Sequence, residues 1–150
     1  MKKASLEAVS YAKALADKMG GKDVVGLALG DINSAALADL GNYGASKVLH
    51  VADSLFNNFD ATAYTKALAE AAQATAAEVV VLMHNSTGKS IAPRLSVRLK
   101  AGLVTGAIEL PNLNAGFVVR KSVFSGKGFA NYSIDTCLLY TSDAADELSC

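Results

Sequence analysis

The chain has 150 residues, of which 51% are hydrophobic and only 19% charged, and fourteen basic groups balance fourteen acidic ones. This is the size of one packed domain, or of a piece of a larger protein, and the composition excludes a disordered chain. The charge balance gives no general pull toward nucleic acid or an anionic membrane, and no apolar run approaches the roughly 18 residues of a spanning helix.

Lys2 and Lys3 are followed by no apolar signal segment, because Glu7, Ser10 and Lys13 interrupt it. No signal peptide is expected, and the expected location is the cytoplasm. Residues 4–19 read as an amphipathic helix with Leu6, Val9, Ala12, Ala16 and Met19 on one stripe, stopped by Gly20 and Gly21. The apolar run 23–30 reads as a buried strand, 34–40 as a short helix before Gly41, and 47–51 as a second strand. Asp60 is the expected N-cap of a helix over 61–77, in which nine residues are Ala and allow close approach to a sheet. Residues 78–83, Glu-Val-Val-Val-Leu-Met, form the most strand-like segment. A loop over 84–89 then leads into a helix to about Lys100, where Pro93 is expected to be tolerated only in the first turn. Strands are expected at 103–110, 116–124 and 128–134, the last two joined as a hairpin.

Alternating helices and strands imply an α/β fold: a Rossmann-like, mostly parallel sheet with helices on both faces and a C-terminal hairpin. Such folds ordinarily open on a strand, whereas this chain opens on a helix, so the first strand is expected to be missing.

The strand-to-helix passage His-Asn-Ser-Thr-Gly-Lys-Ser, 84–90, has the setting of a phosphate-binding loop. The full pattern needs a glycine five residues before Gly88, where Met83 stands. Without it the backbone N–H groups do not turn readily onto a phosphate. The segment therefore reads as a structural connection, with Thr87 or Ser90 capping the helix and Lys89 able at most to hold an anion weakly. His50 and His84 lie near strand C-terminal ends, where open α/β sheets build their sites, but neither has a Ser, Cys or carboxylate at a diagnostic spacing. They read as loop or packing residues. Arg94 and Arg98 share a helical face that is either solvated or a docking surface for an acidic partner. Tyr11 and Tyr64 fit apolar helix stripes. No catalytic, cofactor-binding or metal-binding residue is assigned. Cys137 and Cys150 both sit at the C-terminal end and define neither a disulfide framework nor a metal site.

From His84 to Leu110 the sequence resembles the N-terminal domain of the electron transfer flavoprotein alpha subunit. The resemblance rests on Gly88-Lys89, on Ala92-Pro93-Arg94-Leu95 and on the passage from Leu99 to Leu103. Residues 117–134, with their Ser125-Gly126 turn, resemble that family's hairpin, and 39–51 its glycine-rich bend into a strand. The likeness runs from about residue 3 to about 135.

The resemblance implies an electron carrier rather than an enzyme. The intact protein would form a heterodimer with a beta subunit and carry FAD. It would take electrons from dehydrogenases, such as the acyl-CoA dehydrogenases of fatty acid beta-oxidation, and pass them to a quinone oxidoreductase or another acceptor. No nucleic acid partner and no membrane insertion are implied. Residues 1–136 would be an incomplete N-terminal domain serving as a packing scaffold, with the C-terminal FAD-binding domain absent and no FAD binding expected of this piece alone. Residues 137–147 resemble translated sequencing adapter, so 137–150 reads as a non-native tail, expected to be disordered or to pack only opportunistically. The alternative, on the 84–90 loop, is a stand-alone nucleotide-binding domain of the stress-protein type.

Overall fold

A computed structural model describes residues 3–83, 85–107, 113–114, 117–123, 128–134 and 138–142. The order is α1 (Lys3–Lys18), β1 (Val25–Leu29), α2 (Ser34–Asn42), β2 (Lys47–Val51), a 3-10 turn (Ser54–Asn57), α3 (Ala61–Ala74), β3 (Val79–Met83), α4 (Ser86–Leu99), β4 (Gly102–Ala107), β5 (Phe117–Val123), β6 (Gly128–Ile134) and β7 (Leu138–Ser142). This is the expected α/β alternation, with parallel pairing in the body and an antiparallel β5–β6 hairpin that matches Phe117 with Ile134 and Val123 with Gly128.

Local chemistry accounts for most boundaries. Gly20 and Gly21 take φ of +93° and +80°, a conformation that ends α1 and that residues with a Cβ adopt reluctantly. Asp60 caps α3 as expected, its side chain accepting from the Ala63 amide at 2.9 Å. The α3 helix stops at Ala74 rather than running to 77, because Ala76 turns left-handed at φ 51°. The α2 helix passes through Gly41, where a Cβ would meet nothing, and the chain turns instead at Gly44, φ +115°.

Two expectations about α4 are corrected. Its N-cap is neither Thr87 nor Ser90 but Asn85, whose side chain accepts from the Gly88 amide at 2.8 Å. The helix therefore starts at Ser86, and Pro93 falls in its interior. The ring is tolerated there because Pro93 is on the exposed side, as is Lys89, whose carbonyl loses its helical partner and can turn to water.

The strands form two sheets, β1–β2 and β3–β7–β4–β5–β6. On β3, Val80 and Leu82 pack with a cluster of Ala69 from α3 and Ile91, Ala92 and Leu95 from α4. Successive strand residues face opposite ways, so Val79, Val81 and Met83 look to the other side, where α1 lies and Ser5 Oγ donates to Met83 Sδ at 3.5 Å. Helices thus cover both faces, with Tyr11, Leu15 and Ala16 of α1 buried.

The described part of the tail packs as a strand. Leu138–Ser142 lies between β3 and β4, parallel to both, with Leu138 opposite Val79 on one side and Gly102 on the other. The interval offers unpaired edges on both sides, and Leu-Leu-Tyr-Thr-Ser has the β-branched and aromatic content to fill it. Both cysteines, His84 and the Ser125-Gly126 turn lie outside the described residues.

Candidate functional site

Parallel strands deliver their C-terminal ends to one edge, where open α/β sheets place ligands. Here that edge carries the loops after Leu29, Val51 and Met83. The first two are locked together. Gly30 has φ +94°, and a Cβ on it would stand 2.9 Å from Asn57 Oδ1 and 3.3 Å from the Phe56 carbonyl oxygen. The Gly30 amide donates to the Val51 carbonyl at 2.9 Å. Asn57 makes a two-way clamp with Asp31: its Oδ1 accepts from the Asp31 amide at 2.8 Å, and its Nδ2 donates to the Asp31 carboxylate at 2.7 Å.

His50 belongs to this lock and not to a free loop. It sits on β2, and Nε2 donates to the Gly30 carbonyl at 2.7 Å, since a carbonyl can only accept. Tyr64 holds the 3-10 turn from below, donating its hydroxyl to the Phe56 carbonyl at 2.6 Å, and its ring meets those of Phe56 and Phe59. Asp53 caps that turn, accepting from the Leu55 amide at 2.9 Å. Sequence reasoning missed the turn and the clamp. The signal was present as a capping Asp53 followed by Asn57 and Asn58, but its meaning depends on Asp31, 26 residues away from Asn57.

The third loop holds the residues that resembled a phosphate cradle. Gly88 and Lys89 lie inside the first turn of α4. The Gly88 amide is taken by Asn85 Oδ1, and the Lys89 amide by the Asn85 carbonyl at 2.9 Å. A Cβ at Gly88 would fall on the Met83 carbonyl oxygen, so glycine is required there for packing of the helix start on β3. Lys89 is exposed, and Ser90 Oγ donates back to Ser86 at 2.9 Å. Two of the amides that a bound phosphate would need are therefore already engaged within the loop.

Arg94 and Arg98 are both exposed. Arg94 turns toward α3, its guanidinium donating to Thr62 Oγ1 at 3.3 Å. Tyr11 is buried, 1% exposed, as its place on the stripe implied. A recess of about 310 Å³ opens between α2 and β2, lined by Leu37, Ala38, Gly41, Lys47 and Val48 with His50. It is at the low end of the roughly 300–1,000 Å³ of small-molecule sites. Among the described residues, no three His, Cys, Asp or Glu side chains gather as metal ligands, and no helix is long and apolar enough to cross a membrane.

The described loops do not suit a flavin dinucleotide. Its pyrophosphate needs free amides at a glycine turn or helix start. Here the glycine amides at 30 and 88 are paired, and the approach to Gly30 is filled by Asn57.

Comparison with known proteins gives a consistent picture. The model of the electron transfer flavoprotein domain matches residues 1–142. The chain is 26% identical over 129 residues to the electron transfer flavoprotein subunit alpha of Bacillus subtilis, covering 86% of this chain and 39% of that protein. It is 27% identical over 134 residues to the alpha subunit of Syntrophomonas wolfei, covering 89% of this chain and 41% of that one. It is 31% identical over 104 residues to the acryloyl-CoA reductase electron transfer subunit beta of Anaerotignum propionicum, covering 69% of this chain and 28% of the relative. The chain thus spans about two fifths of the length of the alpha subunits it matches.

Proposed function

The chain belongs to the electron transfer flavoprotein domain family, as an alpha-subunit N-terminal domain, and from that premise we propose that it is the packing scaffold of an electron carrier and not a site of chemistry. The observation that carries this reading is the state of the C-terminal strand edge. Its glycine amides and its His50 are spent on holding the loops to one another. An edge of that kind presents a preformed surface and leaves no phosphate cradle.

In the intact protein, FAD supplies the redox chemistry, and the polypeptide supplies binding, orientation and electrostatics. The flavin would be held by a domain beyond this chain, with residues 1–136 as the native scaffold part and 137–150 as a non-native tail. The assembled carrier would be a heterodimer with a beta subunit in the bacterial cytoplasm. It would accept electrons from dehydrogenases such as acyl-CoA dehydrogenases and deliver them to a quinone oxidoreductase or another acceptor.

Co-expression with an electron transfer flavoprotein beta subunit tests the proposal. A complex of the two chains should survive affinity capture and gel filtration. The 150-residue chain alone should be colourless after incubation with FAD and desalting. A stoichiometric yellow complex of this chain by itself would overturn the scaffold reading, and so would failure of the beta subunit to associate.

A further inference from the structure

Charge is unevenly placed on this neutral chain. From 48 to 65 the sequence has no Lys or Arg and two acidic residues, Asp53 and Asp60. From 79 to 108 it has no Asp or Glu and four cations, Lys89, Arg94, Arg98 and Lys100. The fold sets the two stretches side by side. Arg94 of α4 donates to Thr62 Oγ1 at 3.3 Å, and Thr62 follows Phe59 and Asp60 in the first turn of α3. Lys66 lies one turn beyond Thr62, and Arg98 one turn beyond Arg94, so each extends the same side of its helix. Glu70 is the single acidic residue of α3. The acidic 53–60 segment thus adjoins a basic helix face.

A charged helix face is ordinarily just solvated, but this one also carries uncovered apolar side chains. Val97 on the basic side is 79% exposed, and Leu55 and Phe59 on the acidic side are 64% and 48% exposed. These are the three most exposed large hydrophobic residues among those described. Val97 and the interior Pro93 both lower the helix propensity of the outer face of α4, with no packing inside the chain in return. The ion pairs of the described residues lie elsewhere, at Lys3–Glu7, Lys13–Asp17 and Lys22–Glu78. They leave Asp53, Asp60, Lys66, Arg94 and Arg98 without a charged partner among the described residues. Apolar centres edged by arginine are the composition of docking surfaces.

A surface with an acidic half and a basic half, each with its own apolar centre, is complementary to itself after a half turn. That is the requirement of an isologous interface. We propose that this surface is a dimer interface and that its occupant is a second copy of this chain. A two-fold axis near the Thr62–Arg94 junction sets the 53–60 segment of each protomer against α4 of the other. Leu55 and Phe59 on one protomer then cover Val97 on its partner, while Asp53 and Asp60 face the arginines of the partner's α4. Every contact occurs twice. The interface is independent of the scaffold reading and does not rest on it.

Sedimentation velocity of the 150-residue chain over about a hundredfold range of concentration tests this. The chain should pass from monomer to dimer and stop there, with dimerisation weakened by salt. Arg94→Glu with Arg98→Glu should raise the dimer dissociation constant about tenfold or more, and Leu55→Ser should do so by about fivefold or more. Asp53→Asn with Asp60→Asn keeps both helix caps, because Asn caps as well as Asp, and should also weaken the dimer. All these side chains are exposed, and thermal melts should confirm that the variants fold. In chains carrying Cys137→Ser and Cys150→Ser, a mixture of Leu55→Cys and Val97→Cys should form a disulfide-linked dimer on oxidation, and neither chain alone should do so. A monomer at every concentration would overturn the proposal. So would growth beyond the dimer, which marks a head-to-tail contact, and so would a dimer indifferent to both the charge reversal and Leu55→Ser. Cross-linking of either cysteine chain alone as readily as the mixture would overturn it too.

Discussion

The β1–β2 pair and the five-stranded sheet are held by different means. In the larger sheet β3–β7 and β5–β6 are joined along unbroken ladders, β7–β4 with a register shift after Val104, and β3 and β4 rest on fully buried Ala92 and Leu95 of α4. The smaller sheet has one ladder of five residues, and its C-terminal end is held by side chains reaching across loops: His50 to Gly30, Asn57 to Asp31, Tyr64 to Phe56. Stability in the first case comes from buried area, which responds steeply to lost volume. In the second it comes from hydrogen bonds that are partly exposed, each worth about 1 kcal/mol net. The first region should therefore fail cooperatively when struck, and the second should loosen locally.

The largest effect should come from deleting 138–150. β7 supplies a parallel partner to all five residues of β3 and to the start of β4. Its removal leaves both edges unpaired and should lower the unfolding free energy by several kcal/mol, a large part of the ~5–15 kcal/mol available to a domain. Thermal melts of the two chains, read by circular dichroism, check this. An unchanged midpoint would mean that β7 is a passive filler and that the larger sheet depends on the helices alone.

Next in size is Leu95→Ala. Leu95 is 0% exposed at the junction of α3, α4 and the strands. Truncation should cost about 2–5 kcal/mol, with the upper part reached if the cavity cannot collapse. Urea unfolding measures the difference. A cost below about 1 kcal/mol would put the site outside the range of buried leucines and weaken the contrast drawn between the two sheets.

Gly30→Ala probes the other region. The positive φ and the approach of Asn57 Oδ1 both oppose a Cβ, so the change should cost about 1–3 kcal/mol. It should also release the clamp, raising hydrogen exchange at Asp31 and at the end of β2 while leaving β4 and β5 unchanged. Loss of protection across both sheets would show that the smaller sheet is not an independent unit.

Much of the fold was legible because its signals are local. Gly20-Gly21 closes α1, Asp60 opens α3, and the alternation of apolar runs gives the α/β class. What was not legible depends on distant partners. Gly41 looks like a helix stop, but only the turn at Gly44 carries a positive φ. Pro93 looks like a first-turn residue until Asn85 is seen to cap the helix eight residues before it. The split into two sheets and the capture of Leu138–Ser142 are choices about edges, and edges have no short-range signature. At the C-terminal edge, sequence left His50 as a loop or packing residue and could not show its acceptor, because Gly30 lies 20 residues away.

The smallest expected effect is that of Lys89→Ala, and it is informative because it is small. The side chain is exposed, and no hydrogen bond or ion pair among the described residues uses its ammonium group, while its amide is held by the Asn85 carbonyl through the backbone. Alanine keeps that bond and has the better helix propensity, so stability should move by less than about 0.5 kcal/mol. Gly88→Ala, one residue earlier, should by contrast be destabilising by about 1–3 kcal/mol, since its Cβ must displace the Met83 carbonyl. If the loop were a phosphate site, the order of importance would be reversed in a binding assay: Lys89 would matter most, because it alone carries the charge. Titration of the unaltered chain with ATP should therefore show no micromolar affinity, and Lys89→Ala should have nothing to remove. ATP binding at micromolar affinity that vanishes in Lys89→Ala would make the α4 start a ligand site, and its paired amides would then have to open on binding.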